Sequence, residues 1–160
     1  MLTTQSVQTS FGADHDRLDE LFTSFQKTKR EDFVRAREFF KEFKFGLQRH
    51  IVWEECILFP LFENKTGMLR TGPTEVMRIE HRQIGVILEA IHQKVHKQDL
   101  DSDAEERRLV ELLHSHNMKE EKVLYPALDE LLSDEEKATA FTAMEQVPES
   151  AYKVCCGHPV

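Results

Sequence analysis

Cysteine is scarce here. Cys56, Cys155 and Cys156 are the three in 160 residues, an odd number that cannot build an even disulfide framework. Long apolar runs are missing, and no stretch approaches the ~18 residues that a membrane-spanning helix needs. Positive charge is in deficit: the net charge of −8 argues against a nucleic-acid partner or an anionic membrane surface, both of which need basic patches. The opening MLTTQSVQTS lacks the basic-then-apolar layout of a secretory leader, so a cytoplasmic location is expected. Glycine and proline number only six and five, which leaves few places for the chain to turn.

What is present is an ordinary soluble balance of 40% apolar and 31% charged residues, at a length that fits one domain. Apolar residues recur at steps of three and four, the seam of helices packed in a bundle. Leu18, Leu21, Phe22 and Phe25 mark a first helix over about Phe11–Thr28. Ala36, Phe40, Phe43, Leu47, Ile57 and Leu61 mark a second, and Met77, Ile84, Leu88, Ile91 and Val95 a third. Leu109, Leu113, Val123, Ala127 and Leu131 mark a fourth. Polar breaks fall at Lys29–Asp32 and Asn64–Pro73. Ser102-x-x-Glu105 and Ser133-x-x-Glu136 read as capping boxes opening the fourth helix and a short fifth one. The expected fold is all-α: an up-down-up-down four-helix bundle over residues 1–146, with an irregular tail over 147–160.

A repeat runs through the chain. DHDRL at Asp14–Leu18 resembles EHRQI at Glu80–Ile84, and HIVWEECILFP from His50 resembles HNMKEEKVLYP from His116, both pairs at an offset of 66. His15 to His50 and His81 to His116 are each 35 residues apart. The pattern is a duplicated two-helix unit, about 11–64 and 73–132.

Eight histidines are the unusual feature, imidazole being the commonest metal-binding side chain. His50 and Glu54 are four apart and share a helix face, as do His116 and Glu120. They occupy the apolar seam itself, between Leu47 and Ile57 or Leu58 and between Leu113 and Val123 or Leu124. His81 sits between Met77 and Ile84, and His15 just before Leu18. In antiparallel hairpins two residues are level when the chain reverses at their midpoint. The three midpoints fall near residues 32, 66 and 98, next to the turn signals, so all six residues converge on one cross-section. A single buried histidine is ordinarily a hydrogen-bonded core residue, and His92, His96 and His114 fit that or a surface role. Two carboxylates and four imidazoles in one core layer are different, because each uncompensated buried charge costs several kcal/mol. No Lys or Arg stands at that level. Six ligands exceed one tetrahedral zinc but suit two cations bridged by two glutamates, with iron favoured and manganese or zinc as substitutes.

These motifs, taken together over about Phe11–Leu132, resemble the hemerythrin-like (HHE cation-binding) domains. The resemblance implies two iron ions with a solvent-derived oxo or hydroxo bridge, held by His15, His50, Glu54, His81, His116 and Glu120, and reactive toward O2, NO or peroxide. It implies sensing or detoxification, with an oxidoreductase acting on peroxide or NO as the enzymatic version; a non-catalytic iron-status module is the alternative. One departure stands out. Oxygen carriers of the family have a further histidine four after the third-helix histidine, where this chain has Gly85, and its counterpart in the first repeat is Asp19. Asp19 is therefore a candidate extra ligand or proton relay. Glu55 and Glu121 are candidates for supporting the ligands from outside. Pro60 and Pro126 are expected to kink their helices. Cys155, Cys156 and His158 read as part of a mobile tail. No protein partner is indicated.

Overall fold

The computed structural model describes residues 4–153, which form helices and turns with no strand among the described residues. Helix α1 (Val7–Thr28) starts at Ser6, whose hydroxyl accepts from the Thr9 N–H. The Asp129 carboxylate accepts from the Val7 and Gln8 N–H groups at 2.8 and 3.0 Å. An anion there satisfies orphan donors, faces the positive helix end, and fastens the start of the bundle to its last helix. Helix α2 (Phe33–Trp53) starts at Asp32, which accepts from the Arg35 N–H. It runs through a π-helical turn (Glu54–Leu58) into α3 (Phe59–Thr66), ended by Gly67 at φ 74°, a left-handed conformation that glycine takes freely. Helix α4 (Gly72–His96) returns, and α5 (Asp103–Lys119) runs through a second π-turn (Glu120–Leu124) into α6 (Tyr125–Leu131). The result is an up-down-up-down four-helix bundle, with α7 (Asp134–Gln146) laid on its outside. Among the described residues no helix is long and apolar enough to cross a membrane.

The Ser133 box forms: its hydroxyl accepts from the Glu136 N–H at 3.1 Å, and the Glu136 carboxylate accepts from the Ser133 N–H at 2.8 Å. The Ser102 box does not. Ser102 instead donates to Glu106 at 2.5 Å and accepts from Lys29 Nζ at 3.2 Å, while Glu105 pairs with Lys94. Lys29 is 1% exposed, and its ammonium needs the Ser102 and Glu106 oxygens more than the helix end needs a cap. The expected irregular tail is also partly ordered. Glu149–Lys153 forms a 3-10 turn that buries Tyr152 against Trp53, whose indole N–H donates to the Tyr152 hydroxyl at 2.9 Å. Cys155, Cys156 and His158 lie outside the described residues.

The two π-turns matter most for the site. In each, an N–H reaches back five residues, Phe59 to the Glu54 carbonyl and Tyr125 to the Glu120 carbonyl. Pro60 and Pro126 follow at once, so the wider turn absorbs the proline ring that would strain a regular helix. The extra residue shifts every later position on the seam by one. Leu58 and Leu124 are buried, whereas Val123, read as a seam residue from regular periodicity, is 59% exposed.

The apolar core is consequently two clusters. One contains Leu18, Phe22, Phe43, Leu47, Ile84 and Leu113; the other contains Phe11, Leu58, Phe59, Met77, Leu124 and Leu128. A polar layer separates them.

Candidate metal centre

The layer holds all six residues that the seam argument brings together: His15, His50, Glu54, His81, His116 and Glu120, each at most 4% exposed. Their donor atoms form two groups. One is Glu54, His81, His116 and Glu120; the other is His15, His50 and Glu120, with the atoms of each group within 4.8 Å of one another. Glu120 belongs to both. Glu54 also faces both, with Oε2 3.1 Å from His81 Nε2 and Oε1 3.4 Å from His50 Nε2.

Every imidazole turns Nε2 to the centre and Nδ1 to an acid outside it. His50 Nδ1 meets Asp14 and His116 Nδ1 meets Glu80, both at 2.8 Å. His15 Nδ1 meets Glu121 at 2.8 Å and His81 Nδ1 meets Glu55 at 2.7 Å. The offset of 66 maps each pair onto another: His50 and Asp14 onto His116 and Glu80, and His81 and Glu55 onto the other pair across the duplication. Each half thus lends one acid to its own histidine and one to its partner's. Such acids fix the tautomer, leaving Nε2 as the lone-pair donor, and raise its basicity. The sequence reading identified Glu55 and Glu121 as supports but missed Asp14 and Glu80. Their signal was an acid immediately before a histidine at the same place in both repeats.

Charge within the layer is unbalanced as the side chains stand. Glu54 Oε2, His81 Nε2 and both Glu120 carboxylate oxygens are buried without a hydrogen bond. Burial favours a neutral His50, yet Glu54 and the Asp14 hydrogen bond prevail and lift it to about 10. His81 rises to about 9 because the Glu54 carboxylate facing its Nε2 and the Glu55 carboxylate on its Nδ1 outweigh burial in the same way. Glu54 falls well below its ordinary value: burial opposes the shift, and His50 and its other hydrogen-bonding neighbours outweigh it. Without a cation, protons on imidazoles do the neutralising. Neutral nitrogen donors and paired carboxylates around two shared points fit two cations, which would supply that charge in place of protons.

Residues 9–128 match the family described as hemerythrin HHE cation binding domain, three quarters of the chain's length. The chain belongs to that family. A stretch of 45 residues, 28% of this hemerythrin-like chain, is 42% identical to the iron-sulfur cluster repair protein YtfE of Salmonella schwarzengrund (strain CVM19633). That stretch spans 20% of the relative's own length. No solved structure matches the chain.

The remaining expected residues fall around the layer. Asp19 is exposed and outside both donor groups, at the mouth of a cavity of about 10 Å³ that His15, His116, Glu120 and Asn117 also line. Burial at that mouth pushes its carboxyl up, against the opposing pull of His15. Leu18, Phe43, Leu47, Ile84 and Leu113 give the cavity apolar walls. Room for roughly one water suits a diatomic molecule or peroxide better than an organic substrate. His92 stacks on Phe40 at 6.4 Å, away from the layer, and His96 and His114 are exposed. One residue in the layer was not anticipated at all. The Tyr125 hydroxyl lies 3.1 Å from His50 Nε2 and 3.3 Å from His15 Nε2, and donates to Glu54 Oε1 at 2.5 Å. Burial and the charges of Glu120 and Glu54 push this phenol well above its ordinary value.

Proposed function

We propose that this hemerythrin-like chain holds two iron ions through His15, His50, Glu54, His81, His116 and Glu120, and binds or reduces a small oxidant: O2, NO or peroxide. One observation carries the reading: two donor groups share Glu120, face Glu54 from both sides, and border a cavity of about 10 Å³ with apolar walls. Iron, when bound, supplies Lewis acidity and electrons. The chain supplies the rest. Glu54 and Glu120 hold the pair together, the four Nε2 atoms anchor it, and Asp14, Glu80, Glu55 and Glu121 orient the imidazoles. Leu18, Phe43 and Ile84 exclude bulk water from the cavity, and Asp19 relays protons at its mouth. Manganese or zinc would fit the same donors. Likeness over 45 residues to a protein named for iron-sulfur cluster repair is in keeping with iron chemistry.

A second reading rests on the position of the layer between two apolar clusters, with buried charges that lack partners. Iron would then chiefly hold the fold together and report iron status to a partner. Metal analysis followed by anaerobic titration with O2, NO and peroxide separates the two. The oxidant reading expects two irons per chain, spectral changes on titration, and consumption of one oxidant. Iron that stabilises the fold while no oxidant alters its spectrum would leave the structural reading standing. A chain that takes up no metal would end both.

A further inference from the structure

The duplication is obeyed by the six central residues and by the acids behind them, and broken where it matters to the layer at Phe59 and Tyr125. Asp14, His15, His50, Glu54 and Glu55 each have a counterpart of the same chemistry 66 positions on. Five residues past each bridging glutamate the halves differ: Phe59 in the first repeat, Tyr125 in the second. Both are fully buried, and both are brought onto the seam by their π-turns. Phe59 lies flat on His81, with ring centroids 5.7 Å apart and planes 9° apart, and it has no atom to offer a cation. Tyr125 points its oxygen among three donor atoms of the other half.

Resting on the di-iron reading above, we propose that Tyr125 is a seventh protein ligand, its oxygen bound to the cation held by His15 and His50. Ligands about 2.0–2.2 Å from a common metal stand about 3 Å from one another. The spacings fit: 3.1 Å from the Tyr125 oxygen to His50 Nε2, 3.3 Å to His15 Nε2, and 3.1 Å between the two histidine nitrogens. Glu54 Oε1, 2.5 Å from the hydroxyl, and a carboxylate oxygen of Glu120, whose Oε1 stands 3.5 Å from His15 Nε2 and 2.9 Å from His116 Nε2, complete a shell of two nitrogens and three oxygens. Binding breaks the phenolic O–H bond and forms an oxygen–metal bond. The proton leaves to solvent with those displaced from the imidazoles, and no electrons are transferred.

The consequence is a division of labour between the cations. The one at His15 and His50 has five protein donors, while the one at His81 and His116 has four. The phenolate anchors the cation at His15 and His50 and favours the ferric state there, while the cation at His81 and His116 keeps the more open shell.

The chain has two tyrosines, which makes the test clean. Iron-loaded, oxidised protein is assayed for metal content and its visible spectrum recorded, with Raman excitation in any band found. Two irons with a phenolate-to-iron(III) charge-transfer band and enhanced phenolate ring modes are expected, both lost in Tyr125→Phe and both kept in Tyr152→Phe. Tyr125→Phe keeps the ring that packs on Phe11 at 5.5 Å, so the fold is retained, and circular dichroism checks it. Two irons without any phenolate signature, or a signature that survives Tyr125→Phe, would overturn the ligand assignment and leave the di-iron reading intact. A wild-type chain that takes up no iron would defeat that reading first.

Discussion

A histidine that binds a cation needs its other nitrogen held. Asp14 does this for His50, itself kept ionised by His50 and Arg17 despite burial, so that its pKa falls to about 2. Asp14→Asn preserves size and one hydrogen bond but removes the charge that makes His50 a strong donor. Loss of such an outer partner typically weakens metal binding about 10- to 100-fold. Competition with a coloured chelator should show a drop in that range for Asp14→Asn, and a similar one for Glu80→Asn, which removes the acid on His116. Equal affinities for wild type and Asp14→Asn would mean that the outer acids only solvate the histidines. These acids were readable in the sequence as the residues preceding His15 and His81, once the repeat is treated as a register rather than a resemblance. Tyr125 was not readable that way. On a regular helix, five residues past Glu120 point away from the seam, and only the π-turn rotates Tyr125 into the layer.

Elements here are joined by buried polar devices rather than by apolar contact alone. At the end of the bundle away from α7, Lys29 closes α1 onto the start of α5 through Glu106 at 2.5 Å and Asp103 at 2.6 Å. Glu106 is 3% exposed, so Lys29→Ala would leave an unpaired carboxylate in the core. Breaking a buried pair on one side costs about 3–5 kcal/mol, whereas replacing both partners by apolar residues is close to neutral. Thermal melts should therefore rank Lys29→Ala well below the double replacement Lys29→Met with Glu106→Leu. A single variant as stable as wild type would show that water reaches the site. The same device explains why the Ser102 capping box failed while the Ser133 box formed. Both have the sequence pattern, but only Ser102 has a buried ammonium competing for its hydroxyl. Helix number, order and breaks were legible because they depend on periodicity and turn residues, which are local. The competition at Ser102 depends on Lys29, 73 residues away, and no local pattern carries it.

Across the whole molecule, the polar layer makes stability a matter of what neutralises Glu54 and Glu120. In the cation-free chain protons do so. His50 and His81 rise from 6.5 to about 10 and about 9, so each favours folding fully below pH 6.5 and loses that contribution as pH climbs through its folded value. Glu54 acts oppositely: lowered, it favours folding above its ordinary value of 4.5 and loses its contribution as pH falls through its depressed value. Cation-free protein should be most stable between these limits and weaken from about pH 7 to pH 10. In the loaded protein cations take the place of the protons, so the alkaline weakening should largely vanish, and loading at pH 7 should release protons into a weakly buffered solution. Chemical unfolding at pH 7, 8.5 and 10, with and without metal, reads both effects. Parallel pH profiles for the two forms would mean that the layer is not where the metal binds, because only a cation among those histidines can remove their titration.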